Sequence, residues 1–96
     1  MLNDKQLTKV TGGYEKREKT IIVSIDVSDL KGDIRFTFYI GQKRQEEKTI
    51  FIDINPVIEY KVKGTNHTKV LTIYANNILY RKYQIDFINE TYQQIC

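Results

Sequence analysis

The stretch that decides the fold is residues 20–28, which read TIIVSIDVS. Apolar side chains occupy every second position, and polar ones lie between them. The apolar set is Ile21, Val23, Ile25 and Val27, and the polar set is Ser24, Asp26 and Ser28. A period of two is typical of a β-strand with one buried face. Residues 34–40, IRFTFYI, repeat the alternation after the turn-rich residues 28–33.

Further strands are predicted towards the C-terminus, although residues 41–47 are polar and indicate a loop. The predicted strands are residues 50–54, 58–63, 69–75 and 78–88. Asn55-Pro56 separates the first two, because proline cannot donate to a strand ladder. Asn76-Asn77 tolerates positive φ and predicts a tight hairpin. The side chains expected on the buried side of the last strand are Leu79, Tyr83, Ile85 and Phe87.

These six strands and the absence of a helical pattern after Gly13 predict an all-β fold. Spacing of this kind suggests a small antiparallel sandwich or barrel. We favour a β-sandwich of about six strands, immunoglobulin-like in outline. A chain of 96 residues has room for one domain. We place that domain at residues 20–96, after a helical or disordered segment 1–13 and a charged spacer 14–19.

The composition is that of an ordinary globular protein. It is 41% apolar and 28% charged, with a net charge of +3, which argues against disorder. Acidic and basic residues are interleaved: even Lys43-Arg44 is followed by Glu46-Glu47. We expect no nucleic-acid partner, because such proteins usually carry a basic run or stripe. We expect no membrane span, because no window approaches about eighteen apolar residues.

The residue types that carry chemistry are sparse. His67 is the only histidine and Cys96 the only cysteine, so neither a zinc site nor an intramolecular disulfide is expected. We predict no enzymatic activity, no metal and no cofactor, and we interpret His67 as a solvated turn residue. The strand carboxylates Asp26, Asp53, Glu59 and Asp86 are expected on the solvent face of a sheet. The Cys96 thiol is able to cross-link two copies in an oxidising setting, and the oligomeric state stays open.

Aromatic and basic side chains share the predicted outward positions of the strands. They are Arg35, Tyr39, Phe51, Tyr80, Arg81 and Lys82. Exposed tyrosine beside arginine is typical of an interface for a protein or a glycan. The alternative is cross-strand packing that only stabilises the sheet.

The N-terminal residues 1–13, MLNDKQLTKVTGG, form a distinct segment. On a helix, Leu2, Leu7 and Val10 fall on one side. Gly12-Gly13 would end that helix and leave a strip without side chains, which suits a narrow protease cleft. No continuous apolar run typical of a Sec signal peptide is present over residues 2–10. A short amphipathic helix with a glycine cap is the plainer alternative.

This segment resembles the double-glycine leaders of bacteriocins and related peptides exported by peptidase-containing ABC transporters. Leu2, Leu7 and Val10 match the hydrophobic positions of that family, and Gln6 stands where glutamate is usual. The resemblance implies that Leu2, Gln6, Leu7 and Val10 are recognised by the transporter. It also implies cleavage after Gly12-Gly13 by the transporter's cysteine protease domain. The expected product is a secreted chain that begins at Tyr14, made from a cytoplasmic precursor.

Three interpretations of function remain open. The first is a secreted bacteriocin-like, signalling or accessory precursor; residues 14–96 carry only the glycines 32, 41 and 64, which fits a membrane-active helical peptide badly. The second is a non-catalytic β-sandwich binding module for an extracellular protein or glycan, which the leader would deliver. The third is a cytoplasmic bacteriocin-associated accessory or immunity protein whose N-terminus mimics a leader.

Overall fold

The computed structural model describes residues 17–54 and 56–96, and its regular elements are β-strands. Seven strands are present in these ranges: β1 (Lys19–Asp26), β2 (Gly32–Ile40), β3 (Lys43–Ile52), β4 (Val57–Gly64), β5 (Thr68–Ala75), β6 (Ile78–Asp86) and β7 (Thr91–Gln94). All the pairings are antiparallel. The predicted all-β antiparallel class is therefore confirmed.

The strands form two sheets that pack face to face. β1 pairs with β4 in a two-stranded sheet, and the other sheet has the order β3-β2-β5-β6-β7. The Tyr60 ring of β4 stacks on the Phe38 ring of β2, with centroids 4.0 Å apart and planes 2° from parallel. Two separate sheets in contact make a sandwich and not a closed barrel. The immunoglobulin-like outline stays a prediction.

The core lies between the sheets and takes the inward faces of β1, β2, β4, β5 and β6, with Ile52 at the end of β3. Its fully buried members are Val23, Ile25, Val27, Phe36, Phe38, Leu71, Ile73, Ile85 and Phe87. Alternate residues of the same strands point outwards, as the period of two predicts. Burial of these apolar side chains is the main favourable contribution to folding.

Strand β3 corrects the prediction that residues 41–47 form a loop. Only residues 41 and 42 turn, with φ of +63° at Gly41, and the strand begins at Lys43. Every side chain from Lys43 to Thr49 is exposed, because β3 is the edge strand of the five-stranded sheet, although Glu46 and Lys48 pair with the core residues Phe38 and Phe36. Neither face of that segment is buried, so its sequence carries no hydrophobic alternation.

The prediction that Leu79 of the last strand is buried is wrong, since Leu79 is 43% exposed. Tyr83, Ile85 and Phe87 are buried as expected. The register of β5 against β6 shifts after Ile73: Arg81 pairs with Ile73, whereas Leu79 pairs with Tyr74. The extra residue, Tyr80, forms a β-bulge. Because of this bulge, Leu79 points to the outward side of the sheet and not to the core.

Two local features complete the topology. The tight hairpin predicted at Asn76 and Asn77 is confirmed, with φ of +51° and +69°. The Asn76 amide donates to the Arg35 carbonyl at 2.8 Å, and the Arg35 amide donates to Asn76 Oδ1 at 2.9 Å. The short strand β7 was not predicted, since its four residues, TYQQ, hold a single aromatic side chain.

Candidate functional site

The leader residues predicted to be recognised or cleaved by the transporter lie outside the described part of the chain. They are Leu2, Gln6, Leu7, Val10, Gly12 and Gly13. Their role stays a prediction from sequence.

Three of the predicted interface residues share the outward face of the five-stranded sheet. Arg35 and Tyr39 of β2 alternate with core residues. Phe51 of β3 lies opposite Asp33 of β2 and is 65% exposed. The structure therefore brings Arg35, Tyr39 and Phe51 to one surface.

Tyr80 and Arg81 belong to a different place. The bulge turns the Tyr80 ring towards Phe36, with centroids 6.5 Å apart. Its hydroxyl donates to Asp29 Oδ1 at 2.5 Å and lies 3.0 Å from the Asp26 carbonyl. The Arg81 guanidinium lies 4.0 Å from the centroid of the Tyr80 ring and 3.6 Å from Asp29 Oδ2. This group fastens β6 to the β1–β2 turn.

The electrostatics of this group follow from those contacts. The hydrogen bond from Tyr80 lowers the pKa of Asp29, and Arg81 adds to the effect. Burial raises the pKa of the Tyr80 hydroxyl, and its hydrogen bond to Asp29 raises that pKa further. Tyr80 is therefore held in its neutral, donating form, which suits a structural fastening.

The surface that contains the predicted interface residue Tyr39 is centred on Tyr39 and Tyr74, and we call it the tyrosine face. Their rings lie edge to face, with centroids 5.5 Å apart and an interplanar angle of 67°. They belong to the adjacent strands β2 and β5, where Tyr39 is paired with Thr72 and Thr37 with Tyr74. Both threonines are buried, at 6% and 7% exposure. The two threonines therefore form a closely packed, polar surface beside the tyrosine rings.

Two shallow concavities flank the tyrosine pair. One, of about 330 Å³, is lined by both tyrosines and by Thr37, Arg44, Glu47 and Asn77. The other, of about 340 Å³, is lined by both tyrosines and by Gly41, Gln42, Thr72 and Lys82. Lys82, predicted at the interface, thus lies on this face.

Charged groups on the face lie close to one another. Arg44 donates to Glu47 Oε1 at 2.8 Å, and Arg35 Nε lies 3.8 Å from Glu47 Oε2. That second contact is an ion pair without a hydrogen bond, and Arg35 Nε has no hydrogen-bond partner among the described residues. The face offers aromatic surface beside charged donors and acceptors, a combination found where proteins bind partners.

Sequence reasoning missed half of this pair. Tyr39 was predicted at the interface, but Tyr74 was not, although it alternates with the core residues Ile73 and Ala75. That alternation was the available signal. The pairing of β2 with β5 brings the two rings together, and the sequence of neither strand predicts that pairing.

The carboxylates and the histidine are placed as turn and surface groups. Asp26 Oδ1 accepts the Ser28 amide at 2.9 Å, and Asp86 accepts the Ile88 amide at 2.9 Å. Hydrogen bonds within these turns lower the pKa of both aspartates, that of Asp26 chiefly through Ser28 and that of Asp86 chiefly through Asn89. His67 is exposed, with Nδ1 3.2 Å from Thr65 Oγ1. Among residues 17–54 and 56–96, no group of three or more His, Cys, Asp or Glu side chains could hold a metal ion.

Comparison with known proteins identifies no relative: no protein family, no curated protein and no solved structure matches this chain. Within the described ranges, no helix is long and apolar enough to cross a membrane.

Proposed function

We propose that the chain is an exported precursor whose mature part is a non-catalytic β-sandwich binding module. The tyrosine face is the observation that carries the binding role. The resemblance of residues 1–13 to double-glycine leaders supports the export role. In this proposal the transporter cleaves after Gly13, and the module acts outside the cell as a signalling, accessory or bacteriocin-like factor.

The binding role rests on a contrast between what the fold needs and what the face offers. Tyr39 and Tyr74 lie on the outward side of their strands, whereas the core is already filled by the inward side. Tyrosine and arginine contribute most of the energy at many interfaces, because they combine a large contact area with a polar end. The partner is an extracellular protein or glycan with polar groups beside apolar surface.

The same construction argues against a membrane-active peptide. Such peptides lay an apolar face on the lipid. Here the buried apolar residues face one another between the two sheets, and the outward face that carries the tyrosine pair also carries charged and polar side chains.

Mass spectrometry of the native protein tests the export role. We expect culture medium to contain a species that begins at Tyr14, while a Gly13→Leu variant accumulates uncleaved inside the cells. Thr11→Ser is the matched control, because it leaves the glycine pair unchanged. An intracellular chain that retains Met1, with none in the medium, would instead support the accessory or immunity interpretation.

Binding of the labelled chain to bacterial cells and to purified cell-wall glycan tests the second role. We expect Tyr39→Ala and Tyr74→Ala each to weaken binding by about thirtyfold, the usual loss for a central aromatic residue. Ile22→Ala, at an exposed site on the other sheet, should bind like the unmodified chain. Protease treatment of the cells separates a protein partner from a glycan. Equal binding by all three variants would remove the tyrosine face from the proposal.

A further inference from the structure

Strand β4 has one edge that no strand in the described ranges occupies. The Val27 amide donates to the Pro56 carbonyl at 2.6 Å. Hydrogen-bonded and non-hydrogen-bonded pairs alternate along an antiparallel ladder, so every second residue from Pro56 onwards bonds β1. The residues of β4 whose backbone groups point away from β1 are Val57, Glu59, Lys61 and Lys63.

The five-stranded sheet extends beneath this edge. The stacking of Tyr60 on Phe38 places β4 above β2, and β3 is the next strand outwards. Lys48 of β3 approaches both rings, with Nζ 5.8 Å from the Phe38 centroid and 5.9 Å from the Tyr60 centroid. The five-stranded sheet thus continues past the free edge of β4, and Lys48 of β3 lies close to Tyr60 there.

The groove at this edge is basic. Its lining residues are Ile40, Gln45, Tyr60, Lys61, Val62, Lys63 and Lys69. Three lysines thus line a groove of about 280 Å³. Two carboxylates lie near it: burial and the Glu46 carboxylate raise the pKa of the Tyr60 hydroxyl, and Glu59 shares the exposed side of β4 with Lys61 and Lys63. The lysines still outnumber these carboxylates. The three lysines come from two strands, β4 and β5. The cluster is therefore not visible in the sequence, where acidic and basic residues are interleaved.

Lys69 contacts both the edge of β4 and a ring of the core. Its Nζ donates to the Lys63 carbonyl at 3.3 Å and lies 5.8 Å from the centroid of the Phe87 ring. It covers the last acceptor of the β4 edge. The backbone groups of Glu59 and Lys61 and the amide of Lys63 have no such cover among the described residues.

We infer that this edge binds an acidic peptide in an extended conformation, which adds as a strand to β4. Main-chain hydrogen bonds to the edge would provide affinity, and alternate side chains would provide specificity. Carboxylates at every second position would lie beside Lys61 and Lys63, because paired residues on adjacent strands are about 5 Å apart on the same face. The site is separate from the tyrosine face, and either one can fail without the other.

A flexible phosphate polymer satisfies only part of this site. It can neutralise the lysines, but it has no alternating N–H and C=O groups to pair with the edge. An acidic peptide uses both the charge and the backbone, which is why the geometry favours it.

The test measures binding of synthetic peptides to the full chain by fluorescence anisotropy. The probe has about nine residues, one strand length, and alternates Glu with Thr. We expect it to bind at least about tenfold more tightly than the same peptide with Gln for Glu. Methylation of the alternate backbone nitrogens that face β4 should also weaken binding about tenfold, since each methyl group removes a donor.

Two charge reversals provide the matched comparison on the protein side. Lys61→Glu should weaken binding of the acidic probe at least about tenfold. Lys31→Glu, in the exposed β1–β2 turn at the other end of the sandwich, should leave it within about twofold, because exposed charges beyond a Debye length are screened. Both sites are exposed, so neither variant disturbs the core. If the N-methylated peptide binds as well as its parent, or polyphosphate binds as tightly as the acidic probe, strand addition is wrong. Absence of peptide binding overturns the inference altogether.

Discussion

The two faces of the five-stranded sheet are built from adjacent residues, yet they have different tasks. Phe38 points inwards and is fully buried, whereas its neighbour Tyr39 points outwards. Ile73 and Tyr74 repeat this arrangement on β5. Because the side chains alternate, the inward residues determine stability and the outward ones are free to serve binding. A substitution at one position should therefore leave the other property almost unchanged.

The largest expected effect comes from the first of these neighbouring pairs. Phe38→Ala should lower the free energy of unfolding by about 3–5 kcal/mol, because it leaves a cavity in the core. Tyr39→Ala should cost less than about 1 kcal/mol, as is usual for surface substitutions. Urea denaturation of both variants provides the measurement. Equal losses of stability would contradict the separation of the faces.

A second prediction concerns the contact between β4 and the end of β6. A Cβ atom added to Gly64 would lie 2.5 Å from the buried Phe87 ring. Gly64→Ala should therefore destabilise the fold by about 1–3 kcal/mol through overpacking. Lys63→Ala, at the exposed neighbouring position, is the control and should have little effect. Thermal unfolding measures the stability of both variants and of Gly64→Ala combined with Phe87→Leu. If the combined variant regains no stability, the Phe87 ring is not the cause of the loss in Gly64→Ala.

A smaller change in the free energy of unfolding is expected at the β-bulge that contains Tyr80. Tyr80→Phe removes the hydroxyl that bonds Asp29, and should cost about 1 kcal/mol. Tyr74→Phe makes the same change on the outward face and should be close to neutral. Chemical denaturation compares them. A larger loss for Tyr74→Phe would reverse the assignment of the two tyrosines.

The smallest effect is a dependence of stability on acid. Hydrogen bonds in the folded chain lower the pKa of Asp29 below its ordinary value of 3.8, chiefly through Tyr80. A lowered pKa in the folded state means that its contribution is present above the ordinary value and is lost as pH falls through the folded pKa. The melting temperature should thus decrease below about pH 4. Tyr80→Phe should make the melting temperature less dependent on pH in this range. If its dependence on pH is unchanged in that variant, Asp29 is not the group responsible.

The inward face of each long strand could be predicted from sequence, because burial imposes a period of two on residues such as Ile21, Val23 and Ile25. The same rule failed where burial is absent. The exposed half of β3 has no period to detect, and the bulge at Tyr80 changes the parity of Leu79 through pairing with a distant strand.

The candidate site was only half predictable for a related reason. Tyr39 could be recognised as outward within β2, but its contact with Tyr74 depends on the pairing of β2 with β5. The three lysines of the groove likewise come from strands that the fold brings together. Local pattern determines which way a side chain points, and strand order determines its neighbours.

The pairing of β1 with β4 has a consequence for the order of folding. β2–β3, β5–β6 and β6–β7 are joined by short turns, whereas β1 must cross two intervening strands to reach β4. Local pairs usually form first, since closing a long loop costs entropy before any contact is gained. The strand that follows the proposed leader is thus expected to be the last to join. A transporter that holds the N-terminus would keep β1 away from the five-stranded sheet, so the chain would stay incompletely folded until it is released.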